Sequence, residues 1–310
     1  MANLLDIRRR IRSVKNTQQI TKAMKMVSAA KLKRAQDRVV AARPFANKMM
    51  QVLGDLSAGI TDDFTHPLLT TRGDERYLVV FVTADKGLAG AFNANLIKAA
   101  QAFLKEHAGK TIEMIAVGRK GRDFFRRRDM HFTGEYLNLT GKGRVDYAEA
   151  VTVARDVIKQ FTEDETLDKV FLIYNEFKSV LQQRVVIDQL LPVSRVAETT
   201  DASAQDTAAA TSRAGATAAA PDAPTDYVYE QPAAEIFARL LPRLIETQIF
   251  RAMLESVASE QGARMTAMDS ASKNAGELIG ALTLNMNRVR QAAITNEIIE
   301  VVSGSSVAAM

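Results

Sequence analysis

Residues 32–56 read LKRAQDRVVAARPFANKMMQVLGDL, and apolar or small side chains return there at steps of three and four. The same register extends back to Leu4 and includes Ile7, Ile11 and Val14. A heptad pattern that continues beyond three or four repeats predicts a coiled-coil helix. We therefore expect one helix over residues 3–56, about 80 Å long at 1.5 Å per residue.

A second register of the same kind lies near the other end of the chain. It begins at Phe250, includes Leu254, Val257 and Met268, and reaches Ile299. We expect a helix over residues 232–303, about 105 Å long by the same rise per residue. Helices at opposite termini, with an unrelated middle, can pair only by folding back antiparallel. The longer helix then leaves an exposed tip.

Polar residues interrupt both registers. They are Gln18, Thr21, Lys25 and Ser28 in the first helix, and Gln261, Arg264, Asn285 and Asn296 in the second. Apolar residues stand beside the seam instead, at Ile20, Met24 and Val27, and at Ile279, Met286, Ile294, Ile298 and Val301. In one interpretation the polar seam residues only fix helix register and orientation. In the other, the apolar residues beside the seam face a third surface.

The middle of the chain alternates short β-branched runs with helical patterns. Strands are expected at 77–83, 111–117, 170–174 and 184–191, and helices at 93–107, 119–128 and 147–161. Alternation of this kind is typical of an α/β layer domain. The predicted fold is therefore an antiparallel coiled coil of the N- and C-terminal helices that carries a central Rossmann-like α/β domain.

Four parts of the chain follow from these patterns. They are an N-terminal coiled-coil helix over 1–58, an α/β domain over 59–196, an Ala/Thr-rich insert over 197–230, and a C-terminal coiled-coil helix with its tip over 231–310. The insert has no apolar face to bury, so we expect it to be flexible and dispensable for assembly.

Charge and composition narrow the function. Residues 1–48 contain thirteen Lys and Arg residues against Asp6 and Asp37, a net of +11, while the whole chain carries +5. A basic helix is a solvated face or a surface for nucleic acid, anionic lipid or an acidic protein. The chain has no cysteine, and its three histidines stand apart, so we expect neither a thiol switch nor a metal site. We expect no signal peptide or membrane span, and hence a soluble intracellular chain.

Chemistry-bearing motifs are few. Gly87 and Gly90 follow the first strand, but their spacing fits neither a dinucleotide-binding loop nor a P-loop. A strand-to-helix turn is the simpler interpretation. No Ser/His/Asp set or acidic pair stands out, so we predict no catalytic residue, cofactor site or direct nucleotide binding.

Five segments carry a family resemblance. Residues 6–32 read DIRRRIRSVKNTQQITKAMKMVSAAKL, residues 83–93 read TADKGLAGAFN, and the last helix contains ETQI at 246–249, EQGARM at 260–265 and RQAAITNE at 290–297. In sequence and order they resemble the gamma subunit of F-type ATP synthase over nearly the whole chain. The sequence departs from the family pattern after Gly304, where two serines stand. The lack of cysteine argues against the redox-regulated chloroplast branch.

The resemblance implies a function. A gamma subunit is the non-catalytic central rotor stalk of a proton-translocating ATP synthase, and it couples rotation of the membrane c-ring to the catalytic beta subunits. The implied partners are the alpha and beta subunits, the epsilon subunit and the c-ring, without nucleic acid. The implied location is peripheral, on the cytoplasmic face of a bacterial inner membrane.

The resemblance also assigns residues that contact the catalytic hexamer. It places Met24 and Lys25 opposite a beta-subunit loop, near Arg264, Gln291, Thr295 and Glu297 of the second helix. It makes Arg290 and Gln291 a catch for that loop. The full set is Met24, Lys25, Arg264, Arg290, Gln291, Thr295 and Glu297. Each could equally be packing within the shaft.

Two rival functions remain open on sequence alone. The first is a nucleic-acid-binding coiled coil that uses the basic helix, although residues 1–44 contain no aromatic side chain for base stacking. The second is a nucleotide-dependent enzyme built on the middle domain.

Overall fold

The structure is a computed structural model that describes residues 4–58, 64–140, 143–180, 182–193 and 231–308. The predicted insert over 197–230 lies outside the described residues. Two long helices dominate: α1 (Leu4–Ala58) and a C-terminal helix, α5 (Ala233–Ala308). Both continue through an internal proline, at Pro44 and Pro242.

Polar contacts establish the antiparallel pairing. The Gln18 side-chain amide donates to the Ser272 carbonyl at 3.2 Å, and the Lys25 ammonium contacts the Asp269 carboxylate at 2.5 Å. Residue numbers thus rise on α1 as they fall on α5. Because α5 is the longer helix, residues 291–299 extend beyond the pairing and are all exposed.

The seam of α1 follows the predicted register even through its polar stretch. Thr21 and Ser28 are buried, as are Leu32, Ala35 and Val39 farther along. The apolar residues beside the seam point outward instead: Ile20 is 60% and Val27 56% exposed. The polar side chains therefore lie between the helices, and the apolar ones are left for another surface.

The predicted register of α5 is wrong toward its C-terminal end. Leu278 and Asn285, expected in the seam, are exposed, whereas Ile279 and Met286, expected beside it, are half-buried. A straight α-helix drifts by about 20° per heptad relative to a 3.5-residue repeat, so the buried positions shift to a neighbouring row.

The α/β domain lies between the long helices in sequence. Its elements are β1 (Arg76–Val82), α2 (Phe92–Glu106), β2 (Thr111–Val117), α3 (Arg119–Arg126), β3 (Phe132–Tyr136), α4 (Tyr147–Glu163), β4 (Lys169–Phe177) and β5 (Gln183–Leu191). The strand order is β3-β2-β1-β4-β5, parallel except for β5, which pairs antiparallel with β4. This architecture confirms the predicted fold class.

Alternate residues of β1 pack into two different cores. Val79 and Phe81 face α2 and α3, where Phe103 and Phe125 complete one cluster. Residues of the opposite parity, including Val80, join the larger cluster that contains α4 and both long helices. The shaft is therefore itself a covering layer of the sheet, which fixes the α/β domain to the coiled coil.

Strand β3 is absent from the sequence prediction. It is a short edge strand with one exposed and four half-buried residues, and Gly134 lies at its centre. A central glycine and the lack of a continuous apolar run weaken the strand signal. Its pairing with β2 and the bond from the Tyr136 hydroxyl to Asp156 come from tertiary contacts.

Gly118 offers a test of the junction between β2 and α3. Its φ is +99°, and an added Cβ would lie 2.1 Å from the Thr83 carbonyl oxygen. Gly118→Ala is therefore expected to lower the free energy of unfolding by about 1–3 kcal/mol. Thermal unfolding measured by circular dichroism checks this. Gly109→Ala is the control, since nothing lies within 4 Å of its added Cβ; equal melting temperatures for the two variants would contradict the expectation.

Candidate functional site

The order of the parallel strands reverses between β2 and β4, on either side of β1. In open α/β sheets, ligands bind in the crevice outside the carboxyl ends of the strands at such a switch point. Here the buried Asp85, three residues after β1, occupies that position. Its carboxylate accepts hydrogen bonds from the Arg119 amide at 3.1 Å, the Asn138 amide at 2.9 Å and the Thr140 hydroxyl at 2.9 Å. An internal carboxylate thus lies at the N-terminus of α3, where such folds can hold an anion.

Residues 83–91, here named the collar loop, connect β1 to α2 and lie against the shaft. Gly90 has a φ of +56°, and its added Cβ would touch the Ala267 side chain at 3.5 Å. The Arg264 guanidinium donates to the Gly87 carbonyl at 3.2 Å. These contacts agree with the predicted strand-to-helix turn at Gly87 and Gly90.

A buried ion pair lies behind the collar loop. Arg264 contacts Glu260, one turn earlier on α5, at 2.6 Å, and both side chains are buried. Burial raises the pKa of the Glu260 carboxyl, while the charge and hydrogen bond of Arg264 act in the opposite direction. The pair thus joins the core of the shaft to the backbone of the loop.

A groove of about 470 Å³ opens where the two helices and the collar loop meet. We call it the collar groove; it is lined by Ile20, Ala23, Met24, Val27, Ser28 and Lys31 of α1, Lys86, Gly87 and Leu88 of the loop, and Gln261 and Arg264 of α5. Its charged lining residues are all cations. Leu88 is 66% exposed at the loop tip. Apolar and positive surface together suit a segment with apolar and acidic side chains.

The structure brings only some of the predicted contact residues together. Met24 and Arg264 both line the collar groove, and Lys25 lies next to it, paired with Asp269. The Lys25 ammonium holds the pKa of the Asp269 carboxyl below its usual range, and Lys273 adds to the effect.

The other predicted contact residues lie elsewhere. Arg290, Gln291, Thr295 and Glu297 are all exposed on the projecting part of α5. Gln291 is 22 residues beyond Asp269, the partner of Lys25, which is about 33 Å along the helix. The expectation that Met24 and Lys25 lie near these residues is therefore wrong, because the antiparallel register places Lys25 opposite Asp269.

Sequence reasoning missed the contribution of the collar loop to the groove. Lys86 and Leu88 flank Gly87 at the tip of a short turn after a buried strand. The sequence signal for this contribution is Leu88, an apolar residue within a turn that also contains Gly, Asp and Lys. Lys31, which also lines the groove, is one of thirteen Lys and Arg residues in positions 1–48, so composition alone does not single it out.

The projecting end of α5 presents a second apolar surface. Its exposed large side chains are Ile294, Ile298, Ile299, Val301 and Val302. They differ from the collar groove in standing on a single helix, beyond the start of α1. The described part of the shaft therefore exposes apolar surface at this end as well as at the collar groove.

The described residues contain neither a metal-binding cluster nor a membrane-spanning helix. Across residues 4–58, 64–140, 143–180, 182–193 and 231–308, no group of three or more His, Cys, Asp or Glu side chains could hold a metal ion. In the same part of the chain no helix has the length and apolarity that crossing a membrane requires.

The fold and these surfaces define a class of protein: a long-helix shaft that carries an α/β domain and presents apolar surface at its collar and tip. Comparison with known proteins narrows the class. The family model described as ATP synthase matches residues 3–307. The ATP synthase gamma chains of Solibacter usitatus and Geotalea daltonii are 50% and 48% identical, over 99% and 98% of this chain and 100% and 98% of theirs. The chain belongs to the ATP synthase gamma chain family.

Solved structures agree with this assignment. A chain of the central stalk and c-ring of the Tetrahymena thermophila mitochondrial ATP synthase is 25% identical, with a TM-score of 0.56 over 82% of this chain and 99% of that one. A chain from the Euglena gracilis mitochondrial enzyme, 18% identical, shares the fold with a TM-score of 0.63 over 98% of this chain and 94% of that one.

The Lys25–Asp269 pair allows a test of what Lys25 does for the fold. Its side chains are 43% and 34% exposed, so water screens their attraction. Lys25→Ala is expected to lower the free energy of unfolding by no more than about 1 kcal/mol. Chemical denaturation of the chain measures this, with Asp269→Ala and the double variant completing a thermodynamic cycle. An interaction free energy between Lys25 and Asp269 well above that size would show that Lys25 serves the packing of the shaft alone.

Proposed function

We propose that this chain is the central rotor stalk subunit of a proton-translocating ATP synthase. It couples rotation of the membrane c-ring to conformational cycling of the catalytic beta subunits. The single observation that carries the proposal is the family match over residues 3–307, joined to a shaft with exposed apolar surface at two levels. As a gamma chain it is a non-catalytic subunit of an enzyme complex.

The partners follow from the two ends of the molecule. The tip of α5 and the start of α1 lie inside the hexamer of alternating alpha and beta subunits. The α/β domain and the base of the shaft contact the epsilon subunit and the c-ring. One structural relative is described with the c-ring, and another with F1 and the c-ring, which supports contact with both parts of the complex.

Coupling needs different contacts at different angles. A shaft made of two unequal helices has no rotational symmetry, so each beta subunit meets a different face as the shaft turns. A ligand or partner shifts a conformational equilibrium only by its differential affinity for the two states. The asymmetric exposure of Ile20, Val27 and Leu88 supplies such a difference.

Nucleotide chemistry is left to the partners. The anion position at the N-terminus of α3 is filled by the Asp85 carboxylate, and the collar loop is covered by α5 through Arg264. A chain so arranged has no autonomous active site and binds no nucleotide of its own. Its location is peripheral, on the cytoplasmic face of the bacterial inner membrane.

A first prediction concerns activity. The highly purified chain is expected to release no phosphate from ATP and to bind no ATP in equilibrium dialysis. The chain is then combined with alpha and beta subunits, and the resulting complex is added to membranes that contain the proton channel. We expect this reconstitution to restore ATP-driven proton pumping. Turnover that remains with the chain alone, after alpha and beta subunits are removed, would overturn the assignment.

We further propose that the predicted contact residues act at two levels of the shaft. Met24, Lys25 and Arg264 meet an acidic and apolar loop of a beta subunit at the collar groove. Arg290, Gln291, Thr295 and Glu297 meet the hexamer nearer the tip. Support comes from the all-cationic charge of the groove lining and from the exposure of the tip residues.

Met24→Lys tests the collar contact. An added ammonium in the groove can form a charge-assisted hydrogen bond to an acidic loop, worth about 1.5–3 kcal/mol, that must break as the shaft passes. We expect the complex to assemble normally but to pump fewer protons per ATP hydrolysed. Proton pumping and phosphate release in membrane vesicles, set against the amount of assembled complex, measure this.

Met26→Lys is the matched control for this test. Met26 is 62% exposed and lies about 200° around the helix from Met24, away from the groove. Its substitution adds the same charge to the same helix without adding it to the collar groove. Equal loss of coupling in both variants would refute the groove contact, and loss of assembly with Met24→Lys alone would assign Met24 to shaft packing.

A further inference from the structure

Glu260 places a carboxylate in the interior of a coiled coil, where burial of a charge is unfavourable. Its side chain is 2% exposed, and burial of a carboxylate costs free energy that an ion pair only partly returns. An apolar residue at that position would pack the shaft without this cost. The placement of the carboxylate therefore calls for a role beyond holding two helices together.

Charges from every side of the junction face Glu260. Arg264 on the same helix and Lys31 on α1 are the cations, and Asp85 in the collar loop is the second acid. Charges on three elements thus act on the Glu260 carboxylate, and Arg264 contacts it directly. Removing the negative charge of Glu260 leaves Arg264 buried without its partner at 2.6 Å.

Arg264 links this charge cluster to the loop. While its guanidinium contacts Glu260, it also donates to the Gly87 carbonyl at 3.2 Å. Gly87 stands between Lys86 and Leu88, whose side chains line the collar groove. Arg264 therefore connects the Glu260 carboxylate to the backbone of the loop tip.

The base of the collar loop is held by other bonds. The Gly121 amide donates to the Thr83 hydroxyl at 2.9 Å, and the Ala84 amide donates to the Asn93 side chain at 3.1 Å. Asp85 is held by the three hydrogen bonds described above. Among the described contacts of the loop tip, the bond from Arg264 to Gly87 is the one that joins it to α5 by a charged group.

We propose that Glu260 is a positioning residue for rotary coupling: it orients Arg264, which locks the collar-loop tip, with Lys86 and Leu88, onto the shaft. The inference rests on the proposed rotor function. A loop locked to α5 moves with the shaft as one body and transmits its displacement to whatever occupies the collar groove. A loop that is free to move shifts relative to the shaft and does not pass the displacement on. ATP turnover then continues while less movement is transmitted between the shaft and the occupant of the collar groove.

The test uses the complete ATP synthase in membrane vesicles, assembled with Glu260→Gln. This variant keeps the size of the side chain and removes its charge. We expect ATP hydrolysis to continue and the number of protons pumped per ATP to fall. In the purified chain, hydrogen exchange at the amides of residues 86–88 should become faster.

Glu255→Gln is the matched control. Glu255 lies on the same helix, is fully buried and pairs with Arg251 at 3.0 Å. Its partner lies outside the collar groove lining. Loss of a buried charge alone should therefore lower stability in both variants, but only Glu260→Gln should loosen the loop and uncouple pumping.

Glu260→Asp covers the case in which Glu260→Gln fails to assemble. It keeps the charge on a shorter side chain, so we expect an intermediate loop mobility and a coupling ratio closer to that of the natural chain. Normal coupling in an assembled variant whose collar loop exchanges faster would overturn the inference, as would equal uncoupling by Glu255→Gln. If the natural chain itself fails to support pumping, the rotor proposal fails instead, and the two failures are thereby distinguished.

Discussion

The antiparallel seam between α1 and α5 is the constraint on which the rest of the structure depends. It joins the two ends of the chain, so the segment between them must leave the shaft and return to it. Each fully buried seam leucine, such as Leu32 or Leu53, contributes about 1.5–3 kcal/mol by removal from water. The same α5 also buries Ile245, Ile249 and Met253 in the core shared with α4 and the sheet. Shaft and α/β domain therefore cannot separate without exposing a single common core.

The polar interruptions of the two seams have one physical explanation at the collar. Ser28 and Lys31 on α1, and Gln261 and Arg264 on α5, line the same groove and lie at the same height. A third element, the collar loop, enters there and brings backbone carbonyls and a buried carboxylate that need polar partners. A purely apolar seam would leave the Gly87 carbonyl without the guanidinium donor of Arg264. The interruption thus adapts the coiled coil to a junction with a folded domain.

Much of the fold could be predicted from sequence because the heptad register is a local pattern repeated many times. Strand β1 is equally clear because it is an apolar run from Tyr77 to Val82, and β2 ends in a shorter apolar run from Met114 to Val117. What failed depended on contacts between distant segments. Strand β3 has too weak a local signal. The exposure of Leu278 reflects cumulative drift along a straight helix. The separation of Met24 from Gln291 follows from the pairing register of the two helices, which sequence spacing alone does not fix. The bond from Arg264 to Gly87 could not be foreseen, since it joins residues 177 positions apart in the chain.

The unequal length of the helices has a consequence for how the tip can exist. Beyond the start of α1, α5 continues alone, with Ile294, Ile298 and Val301 exposed along it. The tip continues a helix that is already nucleated in the shaft, so its backbone hydrogen bonds form without a new nucleus. Its exposed apolar face gains further stability where a surrounding surface buries it. A ring of partner surface around the tip, instead of a binding site on one side, would contact this face at every angle of rotation. It would stabilise the helix and leave the shaft free to turn. The collar below it, with one groove and one loop on one side, is the part whose contacts must change with angle. The length of α5 thus separates the tip, where contacts stay constant during rotation, from the collar, where they change.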